Sequence, residues 1–444
     1  MHYLQFMLRR PRLARICATL LIASLPSLAP AQPVDAAREA RIAAVLEKVL
    51  AIDNHTHLLT AAPPYNPRLE NTVPVMLRSA RPETVAAMKS RFNVDWDPAQ
   101  GERLDAEARA NKLKLVARAG SEEAYWTEHL ALTGTEIALI NQESPKSTNG
   151  RNLRWVPYGT TLLIPFGSPS LAARSPAVAS YVDRSLKVNS EAWKADNSGE
   201  PPATLDDYLK HLDRRLALYK EQGAVALKFT DAYYRTLRIA NTPKARAEAI
   251  YAAGLKSPPE RDEYIALQDY LMRHIFRRCG ELKLPVHIHS SHGAGSSLRM
   301  QESDVRNLED VLADRAYFGT QFVLLHGGAP WHEAAAYLSI SKPNVWIDLS
   351  AMPFLYTHSE LSAVIRKYLA FSPERTLFGT DPMPTPMMPV GAEVAHIGLT
   401  QNLRKALYRA LADLVADGLF TEAQAIDVGR GVLRGNAQRL YGWQ

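Results

Sequence analysis

Eight short apolar segments separated by helical patterns predict an α/β fold, a (β/α)8 barrel of parallel strands. Three observations carry that expectation: the number of segments, the helices between most of them, and the polar residues gathered at their C-terminal ends. An amphipathic helix over residues 36–48 comes first. The strand candidates are residues 49–59, 136–141, 155–164, 224–230, 286–290, 322–326, 345–349 and 376–381. They are short and largely apolar, as strands covered on both faces must be. Helical periodicity falls at 102–119, 205–221, 260–279, 332–341 and 360–371, and helices from about residue 394 onward complete the barrel. A doubly wound open sheet would bring a glycine-rich first turn. None follows the first strand, and Gly293-Ala294-Gly295 is an isolated pair. Two stretches are too long for simple connections. Residues 60–101 carry Pro63, Pro64, Pro67, Pro74, Pro82 and Pro98, and residues 166–203 read as equally irregular. Both follow strands that open at the catalytic face, so lid-forming insertions are expected after strands 1 and 3.

The composition excludes a disordered, collagenous or coiled-coil chain: 444 residues are 46% hydrophobic and 22% charged, with 23 Gly and 29 Pro. The formal charge of +6 is unevenly placed. Residues 1–31 hold Arg9, Arg10, Arg12 and Arg15 and no acid, and without these four cations the charge is +2. Nothing in the body therefore calls for a nucleic-acid partner. The basic start, an apolar run over 16–29 and the small-residue site Ala29-Pro30-Ala31 read as a signal peptide cut before Gln32. The run is shorter than the roughly 20 residues a bilayer-spanning helix needs. Residues 32–444 are then a single periplasmic or secreted domain with no stable membrane insertion. Arg9-Arg10 resembles a twin-arginine signal, although Pro11 and Arg12 fit that pattern poorly. Cys17 leaves with the signal, and Cys279 remains without an internal partner.

The chemistry lies at the strand ends. His55-Thr56-His57 closes the first strand, and residues i and i+2 of a strand share a face, so two imidazoles can grip one cation. His287-Ile288-His289 is a second such pair. Leu325-His326-Gly327-Gly328 ends another strand on a histidine, and Gly379-Thr380-Asp381 ends the last on a carboxylate. Imidazole with carboxylate suits Zn, Mn or Fe(II) better than Ca or Mg.

This set resembles the amidohydrolase superfamily of metal-dependent TIM-barrel enzymes, and within it the amidohydrolase-related branch. The branch shows H-x-H on the first strand, Pro-x-x-x-His on the fifth (Pro285 to His289), His-Gly-Gly on the sixth and Gly-Ser/Thr-Asp on the eighth. It commonly ends in Asn-Ala-x-Arg-Leu, here Asn436-Ala437-Gln438-Arg439-Leu440. Leu227-Lys228 followed by Tyr234-Arg235 is similar to amidohydrolase domains fused to glutamine-synthetase-like domains. The resemblance implies His55, His57, His289 and Asp381 as metal ligands, with His287 lining the barrel. It implies Asp381 as the base for the metal's water and His326 as acid/base or polarising group. Lys228 has two readings, a carbamylated bridge between two metals or a cation for a substrate carboxylate. The branch's motifs favour one divalent metal per chain, zinc first.

Tyr234 and Arg235, with neighbouring Tyr233, are candidates for holding an anionic substrate. His292 and Trp331 follow strand ends and are candidates for the pocket wall. Asn54-His55-Thr56 matches a glycosylation sequon, but a strand inside a barrel is no surface loop. The function expected is an exported metal-dependent hydrolase acting on a C–N or ester bond of a small-molecule substrate. A metal-dependent decarboxylase of the same superfamily is the alternative, and an inactive ligand-binding barrel a remote one. The sequence leaves the substrate and the oligomeric state open, a homo-oligomer included.

Overall fold

The computed structural model describes residues 35–443, apart from 73–74, 76–77, 196–198, 291–292, 294–296 and 388. The proposed signal peptide, with Cys17, and His292 lie outside the described residues. Eight strands occur among them: β1 Ala51–Thr56, β2 Thr135–Asn141, β3 Leu153–Val156, β4 Leu227–Phe229, β5 Val286–His289, β6 Phe322–Leu325, β7 Val345–Asp348 and β8 Thr376–Leu377. All pairings are parallel and follow chain order, β1-β2-β3 in one sheet and β4-β5-β6-β7-β8 in another. Helices on the connections cover the strands, which are buried almost throughout.

The helices form where periodicity and caps agree. Leu205–Glu221 buries Leu205, Tyr208, Leu209, Leu212, Leu216 and Tyr219, three and four apart, and its first turn is capped by the Thr204 side chain, which accepts from Asp207 N. His358–Phe371 starts with a reciprocal capping box between Thr357 and Glu360. Between the strands lies a compact apolar group including Ile52, Leu139, Val156, Val323, Leu325 and Leu377. Ala437 and Leu440 of the last helix, Asn436–Tyr441, complete it. Asn436 Nδ2 donates to the carbonyls of Pro373 and Thr376 (2.7 Å each), so the Asn-Ala-x-Arg-Leu motif pins the start of β8. No helix of the described residues is long and apolar enough to cross a membrane.

Three expectations are corrected. Residues 155–164 are not one strand: β3 ends at Val156, and Thr160–Leu163 is a 3-10 turn. Pro157 has no N–H for the ladder. Gly159 lies so close to Leu227 and Phe229 that a Cβ would collide with both. Residues 166–203 are not irregular, because Pro176–Ala195 is a helix. Its buried face includes Ser185 and Asn189, and Asn189 Nδ2 donates to Thr161 O (2.9 Å) and Ile164 O (2.7 Å). Residues 60–101 contain the helix Pro82–Phe92, whose Ala87, Met88 and Phe92 pack with Val394 and Ile397 of the long helix Ala392–Ala416.

β8 is also shorter than the sequence suggests. Its continuation is held by bonds outside the regular ladder: Asn54 N donates to Phe378 O (2.9 Å), Thr380 N to Asp53 Oδ1 (3.0 Å) and Asp381 N to His55 O (2.9 Å). These contacts bring the Gly-Thr-Asp segment against β1.

Candidate metal centre

Eight side chains singled out in the sequence meet at the C-terminal strand ends, around a cavity of about 330 Å³: His55, His57, Lys228, Tyr233, Tyr234, His289, His326 and Asp381. His55 is the penultimate residue of β1, His57 follows its end, and Asp381 follows β8. His326 (φ 65°) and Asp381 (φ 58°) both sit in the left-handed region, where a side chain costs about 1–3 kcal/mol unless its surroundings enforce it. Such positions cluster at functional sites.

Asp381 Oδ1 lies 3.4 Å from Nε2 of both His55 and His57. The donor atoms of these three residues fall within 4.8 Å of one another. Oδ1 is enclosed yet has no hydrogen-bond partner among the described residues, an expensive state for a buried acceptor. Burial pushes His57 down to about 3, reinforced by the Lys228 charge, and holds His55 well below its ordinary value for the same reasons. Both imidazoles are therefore neutral near pH 7 and keep a lone pair. Burial raises the Asp381 carboxyl against the pull of Lys228 and lowers the Lys228 ammonium. A divalent cation among the three donors is the charge that would return Asp381 to its ionised form. The residues fit a metal.

The other expected ligand, His289, lines the same cavity outside this tight group. Its Nδ1 lies 2.8 Å from His326 Nε2, and its ring stands over Tyr233 with centroids 4.6 Å apart. His326 Nδ1 lies 3.0 Å from Ser350 Oγ, so both its ring nitrogens are engaged within the protein. Lys228 Nζ is 3.3 Å from His55 Nε2. His287 is fully buried on β5, its Nε2 2.8 Å from the Tyr441 hydroxyl. Asn54 is equally buried, donating to Asp348 Oδ2 (2.9 Å), so the sequon around it is no surface loop.

Two expected substrate contacts lie elsewhere. Arg235 is 0% exposed and does not line the cavity; its guanidinium is paired with Asp269 and bonded to backbone carbonyls, including Thr236 O (3.0 Å). Breaking a buried ion pair on one side costs about 3–5 kcal/mol. Arg235→Ala should therefore lower the unfolding free energy by about that amount, measured by urea denaturation. An unchanged midpoint with weakened substrate binding would instead return Arg235 to the site. Trp331 precedes the helix His332–Ser341, packs against the main apolar core and is not part of the cavity lining. Tyr234 does face the cavity, with its hydroxyl donating to Asp231.

Sequence reasoning missed Glu143, Tyr158, Tyr181 and Arg184, which complete the wall. Glu143 and Tyr158 follow β2 and β3, where the strand-end rule that found the histidines applies equally. Tyr181 and Arg184 come from the helix Pro176–Ala195, and the Arg184 guanidinium lies 5.5 Å from the Tyr181 ring centroid. Residues 60–101 contribute nothing to the lining among the described residues, so the wall expected there is not seen.

Comparison with known proteins gives three findings. The amidohydrolase family model matches residues 181–443, which include Lys228, His289, His326 and Asp381 but not β1. Protein fluG of Emericella nidulans is 27% identical over 201 residues, 44% of this chain and 22% of that protein, so the chain matches about a fifth of its relative's length. Among solved structures, a Lactobacillus casei protein assigned to the metal-dependent hydrolases aligns with TM-score 0.62 and 16% identity, covering 90% of this chain and 97% of its own. Uronate isomerase of Thermotoga maritima aligns with TM-score 0.56 and 13% identity, covering 91% and 97%. At such identities the structural likeness is one of fold alone.

Proposed function

The chain belongs to the amidohydrolase family, and from that premise we propose an exported metal-dependent hydrolase that uses metal-activated water on an amide-type C–N or ester bond of a small substrate. The observation that carries the reading is the enclosed Asp381 carboxylate oxygen, set between two neutral imidazole nitrogens and given no hydrogen bond. His55, His57 and Asp381 would hold the cation, zinc first, with His289 as a fourth donor. We also read the eight strands as one closed (β/α)8 barrel. Support comes from the bonds joining β1 to the β8 continuation and from the bridge of Tyr158 with Lys228 beside β3 and β4.

When bound, a divalent cation polarises a carbonyl and makes water acidic enough to ionise near neutral pH. The protein's own groups do the rest. Asp381 takes the proton from the attacking water and returns it to the leaving group. Lys228, deep in the cavity beside His55, holds a carbonyl or carboxylate oxygen of the substrate. His326, bonded at both nitrogens, orients its neighbours rather than passing a proton to or from the substrate. Tyr158, Tyr181 and Tyr233 give the cavity a flat apolar wall, and Arg184 places a cation in that wall. Cleavage at Ala31 would deliver the protein outside the cytoplasm, starting at Gln32, which the intact mass from an export-competent host reads directly.

The reaction class is tested on any turned-over substrate in oxygen-18 water. One labelled oxygen should enter the new carboxyl group. Carbon dioxide released without label would make the enzyme a decarboxylase, and an unlabelled product of unchanged mass would make it an isomerase.

A further inference from the structure

Asp348 and Ser350 do not line the cavity, yet they are joined to it by an unbroken chain of hydrogen bonds. Asp348 ends β7, fully buried, and meets only donors. Ser350 N (2.9 Å) and the Ser350 hydroxyl donate to Oδ1, and Asn54 Nδ2 (2.9 Å) donates to Oδ2. Gly379 makes room for this carboxylate, since a Cβ there would collide with Oδ2. An ionised carboxylate only accepts, so the Ser350 proton points at Asp348 and its Oγ offers only lone pairs elsewhere. His326 Nδ1, 3.0 Å from that Oγ, must therefore carry a proton. Enclosure disfavours charge on the ring, and a neutral imidazole protonated at Nδ1 has its lone pair on Nε2. That Nε2 lies 2.8 Å from His289 Nδ1. His289 must donate there, which leaves the lone pair of its own ring on Nε2.

We infer that Asp348 is a positioning residue: acting through Ser350 and His326, it holds His289 as the Nδ1-protonated tautomer, with Nε2 able to coordinate a cation. The inference rests on the metal reading above and adds to it a direction of hydrogen bonding that runs from β7 through β6 to β5. Partners beyond the ligands commonly change metal affinity by about 10–100-fold. Asp348→Asn attacks the chain at its origin. The new amide has one accepting oxygen where the carboxylate had two, so it cannot satisfy Ser350 N, the Ser350 hydroxyl and Asn54 Nδ2 together. The hold on the Ser350 hydroxyl weakens, and the tautomers of His326 and His289 become mixed. Ser350→Ala only breaks the chain, and Ser350→Thr keeps it.

The test uses the whole protein, labelled with nitrogen-15 histidine, read by long-range nitrogen–proton correlation without metal and by zinc affinity against a competing chelator. Metal-free wild type should show His289 protonated on Nδ1, and Asp348→Asn should lower the share of that tautomer in favour of Nε2. Zinc affinity should fall about 10–100-fold in Asp348→Asn, fall less in Ser350→Ala and stay within about threefold of wild type in Ser350→Thr. If Asp348→Asn does not fold, the Ser350 pair decides, because both variants leave the carboxylate and its backbone bond intact. Wild-type His289 protonated on Nε2, or zinc affinity equal in wild type and Ser350→Ala, would overturn the inference while leaving the metal reading intact. Equal zinc affinity in wild type and His57→Ala would overturn both.

Discussion

Replacing His57 by alanine should empty the metal centre. His57 supplies one of the three donors that fall within 4.8 Å of one another, and without it only two of that tight group, His55 and Asp381, remain beside the more distant His289. The imidazole removed is neutral because it is buried, so the variant loses a lone pair and no charge. Its effect on affinity should exceed the about 10–100-fold that supporting residues produce. Elemental analysis of wild type should give about one equivalent of divalent metal per chain. His57→Ala prepared in parallel should fall below a tenth of that, and activity should fall with it. Equal metal in the two proteins would remove His57 from the ligand set.

Asp381→Asn should be nearly as severe, by a different route. The amide preserves shape and one coordinating oxygen, but it cannot accept a proton from water. General-base catalysis contributes about 10²–10⁴-fold, and kcat should fall by at least that range while part of the metal is retained. The decisive comparison is between the two variants. His57→Ala should lose activity in proportion to metal, and added metal should restore some of it. Asp381→Asn should stay slow at saturating metal. A metal-saturated Asp381→Asn enzyme of near wild-type kcat would show that another group takes the proton.

Much of this centre is legible in the sequence because its parts are local. Each parallel strand is only a few residues long and ends near the site, so His55, His57, His289, His326 and Asp381 each stand in a short motif at the end of an apolar run. The wall is less legible. The helix Pro176–Ala195 hides because Ser185 and Asn189 occupy its buried face, and Asn189 is satisfied by carbonyls of a distant turn. Tyr181 and Arg184 went unrecognised with it. Arg235 misleads for the opposite reason. Its place beside Tyr234 suggests an anion site, whereas its partner Asp269 lies 34 positions further on, in the helix Arg261–Leu282. Asp348 and Ser350 carry no motif of their own, and they acquire meaning only when β7 places them beneath His326.

The central claim is that His55, His57 and Asp381 form one cation site at the mouth of the strands. Anomalous scattering from a crystal of the zinc-loaded protein tests it most directly. A single strong peak per chain is expected, bounded by Nε2 of His55, Nε2 of His57 and the Asp381 carboxylate. A second peak of equal strength beside a carbamylated Lys228 would make the centre binuclear. No peak among these three residues at saturating zinc, with the metal bound elsewhere or not at all, would contradict the account.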